Sequence, residues 1–297
     1  MAQPQRKATS RDWPFQVTPL HDALGVEISG ITLAQAVEPK MFDKVYEAFL
    51  DYELILFRDV DLPPATQVAF ARAFGEVQIH VMNQYHGAEH PEIYKLSNVD
   101  AQGRPNGKHP DKGTMYWHTD GSWRERTGQA TMMYSEVVPP VGGETEFADL
   151  RAAHDALPPA MKEKIDSLVA EHSIFYSRGQ LGHTDYTEAE RAALPSAHHR
   201  LVRVHPGSRR KTLYMGAHAS HIVGWPMPDG RLLLRDLMEH ATQREFVHRH
   251  SWLPGDLVIW DNRCTLHRGR PYDDAAHPRD LRRVTTRDPG SVLGQVA

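Results

Sequence analysis

Residues 252–269 read WLPGDLVIWDNRCTLHRG. Leu257-Val258-Ile259-Trp260 is an apolar run of four, too short for a helix and bounded by turn residues on both sides. Pro254-Gly255-Asp256 precedes it and Asp261-Asn262 follows it. The next run, Cys264 to His267, alternates when extended: Cys264 and Leu266 share one face, Thr265 and His267 the other. Two such runs joined by Asp-Asn predict a β-hairpin. Its apolar face packs on a core, and His267 turns toward a polar pocket or solvent.

Short runs of the same kind extend upstream to about Ile93: Ile93–Ser97, Met115–His118, Ala130–Val138, Thr145–Ala148, Leu201–His205, Thr212–Met215 and Phe246–His250, with Leu281–Thr286 downstream. Many short strands separated by Gly- and Pro-rich turns predict a β-sandwich or barrel. Two helical inserts interrupt them. One starts near Asp149 and continues through Lys162–Ala170; the other is Pro228–Ala241, with Leu232, Leu233, Leu237 and Met238 as its apolar face. The first third is mixed: strand-like alternation over Phe15–Ile31, a helix over Pro39–Leu50, a strand at Leu54–Phe57, and a helix over Pro64–Phe74 that Gly75 stops. The predicted class is mainly β with flanking helices. Residues 1–12 read as a frayed tail and 13–297 as a single domain, because no linker-like stretch divides them.

The 297 residues are 40% hydrophobic and 24% charged, as in ordinary soluble globular proteins. A net charge of −4 argues against a nucleic-acid binder that works by neutralising phosphates. Apolar runs are far too short to span a membrane, and no apolar stretch follows the basic residues of the N-terminus, so the expected location is cytoplasmic. A single cysteine, Cys264, excludes an intramolecular disulfide framework and any cysteine-rich metal site. The unusual count is 19 histidines.

A His-x-Asp/Glu pair on a strand points both side chains at one side, where they can share a metal ion. Four such pairs occur: His90/Glu92, His109/Asp111, His118/Asp120 and His183/Asp185. Chance placement of 19 histidines among 38 acids in 297 residues gives about 2.4, so context has to choose. GKHPDKG reads as a surface turn, EHPEI has a central proline, and QLGHTDYTEAE leads into a short capped helix. His118/Asp120 lies in MYWHTDGSW, between aromatics at the end of a strand candidate, and is the pair best placed for a half-buried pocket.

Between Arg263 and Arg287 lie seven arginines, three aspartates and no lysine or glutamate. Arginine suits planar, two-pronged recognition of a carboxylate. Arg279 and Arg283 are four apart and share a strand face, which Arg282 opposes. Two histidines and one carboxylate without cysteine is the donor set of a non-haem Fe(II) site with open positions. A 2-oxo acid can fill two of these, and its remote carboxylate needs a cation that one arginine supplies. A second arginine is then free for an anionic substrate.

WHTD at 117–120, GGETEFADLRAA at 142–153 and WDNRCTLHRGRPYD at 260–273 resemble the taurine dioxygenase family of Fe(II)/2-oxoglutarate-dependent dioxygenases. GAHASHI at 216–222 and HATQREFVHRH at 240–250 resemble its herbicide-degrading branch. The similarity runs from about residue 14 to 288 and is weakest between 80 and 115. It implies a double-stranded β-helix (jelly-roll) core around iron held by His118, Asp120 and His267. It also implies that Thr145 and Arg279 bind 2-oxoglutarate, that Arg283 meets the substrate's acid group, and that His80 contacts substrate. The stretch around Ala275–Pro278 is one residue longer than the family pattern; an ungapped count would give Pro278 and Arg282 the arginine roles, and proline cannot bind a carboxylate.

The implied reaction hydroxylates the carbon beside the ether oxygen of a phenoxyacetate-type acid such as 2,4-dichlorophenoxyacetate. It yields a phenol, glyoxylate, succinate and CO2. Fe(II), 2-oxoglutarate and O2 are the implied cofactor and co-substrates, with ascorbate as a stimulant, a small anionic aromatic substrate as partner and a homo-oligomer as the assembly. Ile79–Met82 and Trp117 are candidates for the aryl pocket. Other readings stay open: a sibling acting on a taurine-like sulfonate, a sulfate ester or another aromatic carboxylate, a zinc hydrolase on the same ligands, or a non-catalytic jelly-roll binding protein.

Overall fold

The computed structural model describes residues 11–80, 85–87 and 89–290; the first ten residues of the expected tail lie outside them. The N-terminal third forms β1 (Gln16–Pro19), β2 (Val26–Ser29), α1 (Leu33–Ala36), α2 (Pro39–Tyr52), β3 (Leu54–Phe57), α3 (Pro64–Phe74) and β4 (Val77–Gln78). Next come β5 (Tyr94–Ser97), β6 (Gly128–Val137), β7 (Thr145–Asp149), α4 (Leu150–Ala156), α5 (Pro159–Ile165), β8 (Val169–His172), α6 (Ile174–Gly179) and α7 (Glu188–Ala193). The last third holds β9 (Ala197–Arg200), β10 (Val202–Val204), β11 (Lys211–Leu213), β12 (Ala219–Ile222), α8 (Met227–Ala241), β13 (Val247–His250), β14 (Leu257–Asp261), β15 (Thr265–Gly269) and β16 (Asp280–Arg287).

Two sheets build the core. The larger runs β1-β2-β3-β14-β6-β16-β4, with β5 also on β16; the smaller runs β13-β7-β15. Alternate residues of each strand face opposite ways, and the packing follows that period. Leu54, Leu56, Met133, Val258, Trp260 and Leu281 of the large sheet meet Phe147 of the small one between the sheets. Their neighbours Ile55, Phe57, Met132, Leu257 and Ile259 point outward onto Val45, Phe49, Phe70 and Phe74 of α2 and α3. On the far side Ala148 and Leu266 of the small sheet meet Leu233 and Leu237 of α8. The result is an open jelly-roll sandwich clad in helices, in agreement with the predicted class.

Four local expectations are corrected. β14 and β15 are not a hairpin: β14 pairs with β3 and β6, whereas β15 pairs with β7. The Asp-Asn turn carries the chain from one sheet to the other. All five residues of β14 are buried, so both faces need cover, which suits a central strand and not a hairpin arm. Met115–His118 is not a strand. Asp111 caps a 3-10 turn at Lys112–Met115, its carboxylate accepting from the Gly113 N–H at 2.9 Å. The first helical insert breaks at Pro158-Pro159 into α4 and α5, and Val169–His172 is a strand, not helix. In α8 the buried stripe is Gly230, Leu233, Leu234, Leu237 and Ala241, and Leu232 falls off it at 48% exposure.

Candidate active site

His118 and Asp120 follow the 3-10 turn, and the bridge to β15 sets their depth. The backbones of His118 and His267 exchange two hydrogen bonds, 3.0 and 2.8 Å, which extends the small sheet by one residue pair. Asp120 lies where the chain turns at Gly121, whose φ of +73° favours glycine. Its carbonyl accepts from the Gly128 N–H at 3.1 Å, and a Cβ at Gly128 would stand 2.4 Å from that oxygen. Glycine at 128 therefore permits the close approach.

His118, Asp120 and His267 are all buried, with ligand atoms within 4.8 Å of one another. Nε2 of His118 lies 3.8 Å from Asp120 Oδ1, and Nε2 of His267 lies 3.8 Å from Oδ2. Nδ1 of His118 is 2.7 Å from the Tyr116 carbonyl, which can only accept, so the hydrogen sits on Nδ1 and Nε2 presents a lone pair. Nδ1 of His267 is buried without a hydrogen-bond partner among the described residues. Burial lowers both imidazole pKa values, keeping the rings neutral. Burial would raise the Asp120 pKa, but Arg283 and the two imidazoles outweigh it and hold the carboxyl below its usual range. Two neutral imidazoles and an ionised carboxylate are a fit donor set for a divalent transition metal.

The other metal-like trio among the described residues, His205, Asp261 and Cys264, is a poor competitor. Arg263 already occupies both Asp261 oxygens at 2.8 and 2.6 Å, and His205 adds a contact at 2.9 Å.

Arg283 and Arg282 separate as alternation requires. Arg283 reaches inward: Nη1 is 2.9 Å from Asp120 Oδ1 and the guanidinium lies 4.5 Å over the Tyr94 ring. Arg282 reaches outward to Glu136 at 3.0 Å, to the Leu62 carbonyl and over Tyr134. Arg279 points the same way as Arg283, donating to the Gly143 carbonyl at 3.1 Å. It is buried with no carboxylate at ion-pairing distance among the described residues, and burial lowers its pKa to about 10. Such a cation calls for an anion. Thr145 is on the same face of β7 as Phe147, which pairs with His267, and its Oγ1 accepts from the Trp252 indole at 3.0 Å. The longer Ala275–Pro278 stretch is absorbed in a loop that Asn98 clamps. Its amide donates to the Asp274 and His277 carbonyls at 2.9 and 3.0 Å and accepts from the Arg279 N–H at 2.7 Å.

His80 lines the pocket beside Arg283 and stands edge-on to Tyr94 at 4.6 Å. Burial, with Arg283 adding to it, pushes its pKa down to about 3. Two aryl-pocket candidates, Ile79 and Trp117, are corrected. Trp117 packs behind the small sheet under the Arg268 guanidinium, and Ile79 is 47% exposed outside the pocket wall. Val81 and Met82 lie outside the described residues. Among the described residues the apolar walls are Tyr94, Trp123, Ile174 and Leu181.

Asp111, expected in a surface turn, is buried at the edge of this pocket. Arg178 of α6 grips both its oxygens at 2.7 and 3.0 Å, and the Tyr94 hydroxyl donates to it at 3.0 Å. The turn motif was legible in HPDKG; nothing in it signals that Arg178, 67 residues on, folds over it.

No helix among the described residues is long and apolar enough to cross a membrane. The family described as "Taurine catabolism dioxygenase TauD, TfdA family" matches residues 16–285. An alpha-ketoglutarate-dependent 2,4-dichlorophenoxyacetate dioxygenase from Cupriavidus pinatubonensis is 43% identical over 282 residues, spanning 92% of this chain and 98% of its own. An (S)-phenoxypropionate/alpha-ketoglutarate-dioxygenase from Sphingobium herbicidovorans is 36% identical, spanning 87% and 90%. The crystal structure of AAD-2 in complex with Mn(II) and N-oxalylglycine matches with a TM-score of 0.82 at 40% identity, covering 94% of this chain and 99% of that one.

Proposed function

Because the chain belongs to the TauD/TfdA family and is an Fe(II)- and 2-oxoglutarate-dependent dioxygenase, we propose that its substrate is an aryloxyacetic acid of the 2,4-dichlorophenoxyacetate type. Hydroxylation of the carbon beside the ether oxygen gives a hemiacetal, which collapses to a phenol and glyoxylate. The co-substrate leaves as succinate and CO2. The observation that carries this reading is Arg283, a buried guanidinium facing Asp120 and lying on the Tyr94 ring in a pocket with aromatic and aliphatic walls.

His118, Asp120 and His267 hold the metal in this reading. With 2-oxoglutarate and O2, iron there supplies an oxidant able to attack an unactivated C–H bond. The protein's own part is placement. Arg279 neutralises the distal carboxylate of the co-substrate, and Thr145 offers its hydroxyl hydrogen, since its oxygen already accepts from Trp252. Arg283 takes the substrate carboxylate, and His80, neutral and packed on Tyr94, lines the same wall. The aryl ring packs against Trp123, Ile174 and Leu181, which keep water from the reacting carbon.

The test is succinate and phenol release across 2,4-dichlorophenoxyacetate, both 2-phenoxypropionate enantiomers, taurine and an alkyl sulfate, with Fe(II), 2-oxoglutarate and air. Turnover of an aryloxy acid well above taurine and alkyl sulfate is the expected result. A strong taurine or sulfate-ester response with none for the aryloxy acids would overturn the assignment.

A further inference from the structure

We propose that Asn262 and Thr131 form a positioning relay that fixes the Asp120 carboxylate before metal arrives; this rests on reading His118, Asp120 and His267 as the metal ligands. The chemistry of the donors dictates the direction of each hydrogen bond. The Trp260 indole and the Asp120 backbone N–H can only donate, and both meet Asn262 Oδ1, each at 3.1 Å. That fixes the amide, so Nδ2 faces Thr131 Oγ1 at 2.8 Å and must donate to it. The single hydrogen of the Thr131 hydroxyl then goes to Asp120 Oδ2, an acceptor 2.7 Å away. The Thr285 hydroxyl, 2.9 Å from Thr131, donates in turn. Only one placement of hydrogens fits all of these contacts.

Asn262 and Thr131 have no solvent exposure. The same amide therefore pins the Asp120 backbone directly and one carboxylate oxygen through Thr131. Thr119 adds a hydrogen bond to the Asn262 carbonyl at 2.6 Å. Asn262 sits in the turn that carries the chain from β14 to β15, five residues before His267. The crossing between sheets thus ties ligands from distant segments to one frame. Preordered carboxylates bind metal more tightly because loading has no side chain left to immobilise.

The test titrates Co(II) alone into metal-free protein, read by visible absorption, with apo thermal melts alongside. Thr131→Val is nearly isosteric and removes only the hydroxyl, and Thr131→Ser restores it. The expected result is a Co(II) affinity about 10- to 100-fold weaker with an altered band in Thr131→Val, within about threefold of the parent in Thr131→Ser, and at least as weak as Thr131→Val in Asn262→Ala. Parental affinity and spectrum in Thr131→Val would overturn the relay alone, as would a Thr131→Ser variant as poor as valine. A parent that fails to bind Co(II), or binds it equally after His267→Ala, overturns the metal-centre reading and the relay with it.

Discussion

Arg279 is a charge placed where charge is costly. Its guanidinium is buried and donates to the Gly143 carbonyl, and its Nε has no hydrogen-bond partner among the described residues. Arg282, three residues on, is equally buried and its Nε likewise has no partner among the described residues, yet Glu136 balances its charge and the Leu62 carbonyl and Tyr134 ring engage the rest of the guanidinium. The two residues separate affinity from stability. In anaerobic Fe(II) titrations followed by the visible charge-transfer band, Arg279→Ala should weaken 2-oxoglutarate about 100-fold or more, or about 2.7 kcal/mol. Arg282→Ala should leave that affinity unchanged and lower unfolding stability by about 1–3 kcal/mol, through the Leu62 carbonyl it strands. Loss of co-substrate binding in Arg282→Ala with a silent Arg279→Ala would restore the ungapped alignment. The facing of these arginines was legible from a spacing of four. That Arg279 has no carboxylate partner among the described residues was not, because it depends on what the Asn98-clamped loop brings near.

At the scale of elements, α6 and the capped 3-10 turn at Lys112–Met115 are joined by the Asp111–Arg178 pair, with Tyr94 of β5 as third member. Burial acts to raise the Asp111 pKa, but the Arg178 hydrogen bonds and charge, with the Gly113 and Tyr94 bonds, reverse it and hold the carboxyl below the usual range. A folded pKa below the unfolded one stabilises fully above the unfolded value and is lost as pH falls toward the folded one. Asp111→Asn should cost about 3 kcal/mol or less at neutral pH, since Arg178 keeps some solvent contact. The gap between wild-type and variant melting temperatures should narrow as pH falls below about 4, the ordinary aspartate range. A gap constant from pH 7 to 3 would show that Asp111 contributes packing and not charge. The two proline-led helices α2 and α3 were readable from the sequence, α2 running two residues past its expected end at Leu50, because apolar spacing and an N-terminal proline act locally. The β14–β15 hairpin was misread because turn residues report that a chain bends, not which sheet receives the next strand.

For the whole molecule, the site and the core share side chains. Trp260 is fully buried between the sheets, its ring 4.7 Å from His267 and its indole N–H on Asn262. Trp260→Ala should therefore cost about 3–5 kcal/mol in urea unfolding and weaken metal affinity in the same preparation. Leu232→Ala, on the exposed side of α8, should stay within about 0.5 kcal/mol and leave the metal untouched. A Trp260→Ala protein with parental metal affinity would show that the core and the centre are mechanically separate. By itself the sequence determined the β-rich class, the helices with clear periodicity and the donor types, since propensity, alternation and side-chain chemistry are properties of short stretches. Family resemblance named His118, Asp120 and His267 as one set and spacing set Arg282 against Arg283; only the tertiary structure decided that Arg279 is buried beside the Gly143 carbonyl, that Asp111 is buried under Arg178, and that Asn262 meets Asp120. Each of these depends on segments tens to more than a hundred residues apart meeting across two sheets, where burial and unpaired hydrogen-bonding groups select the partners.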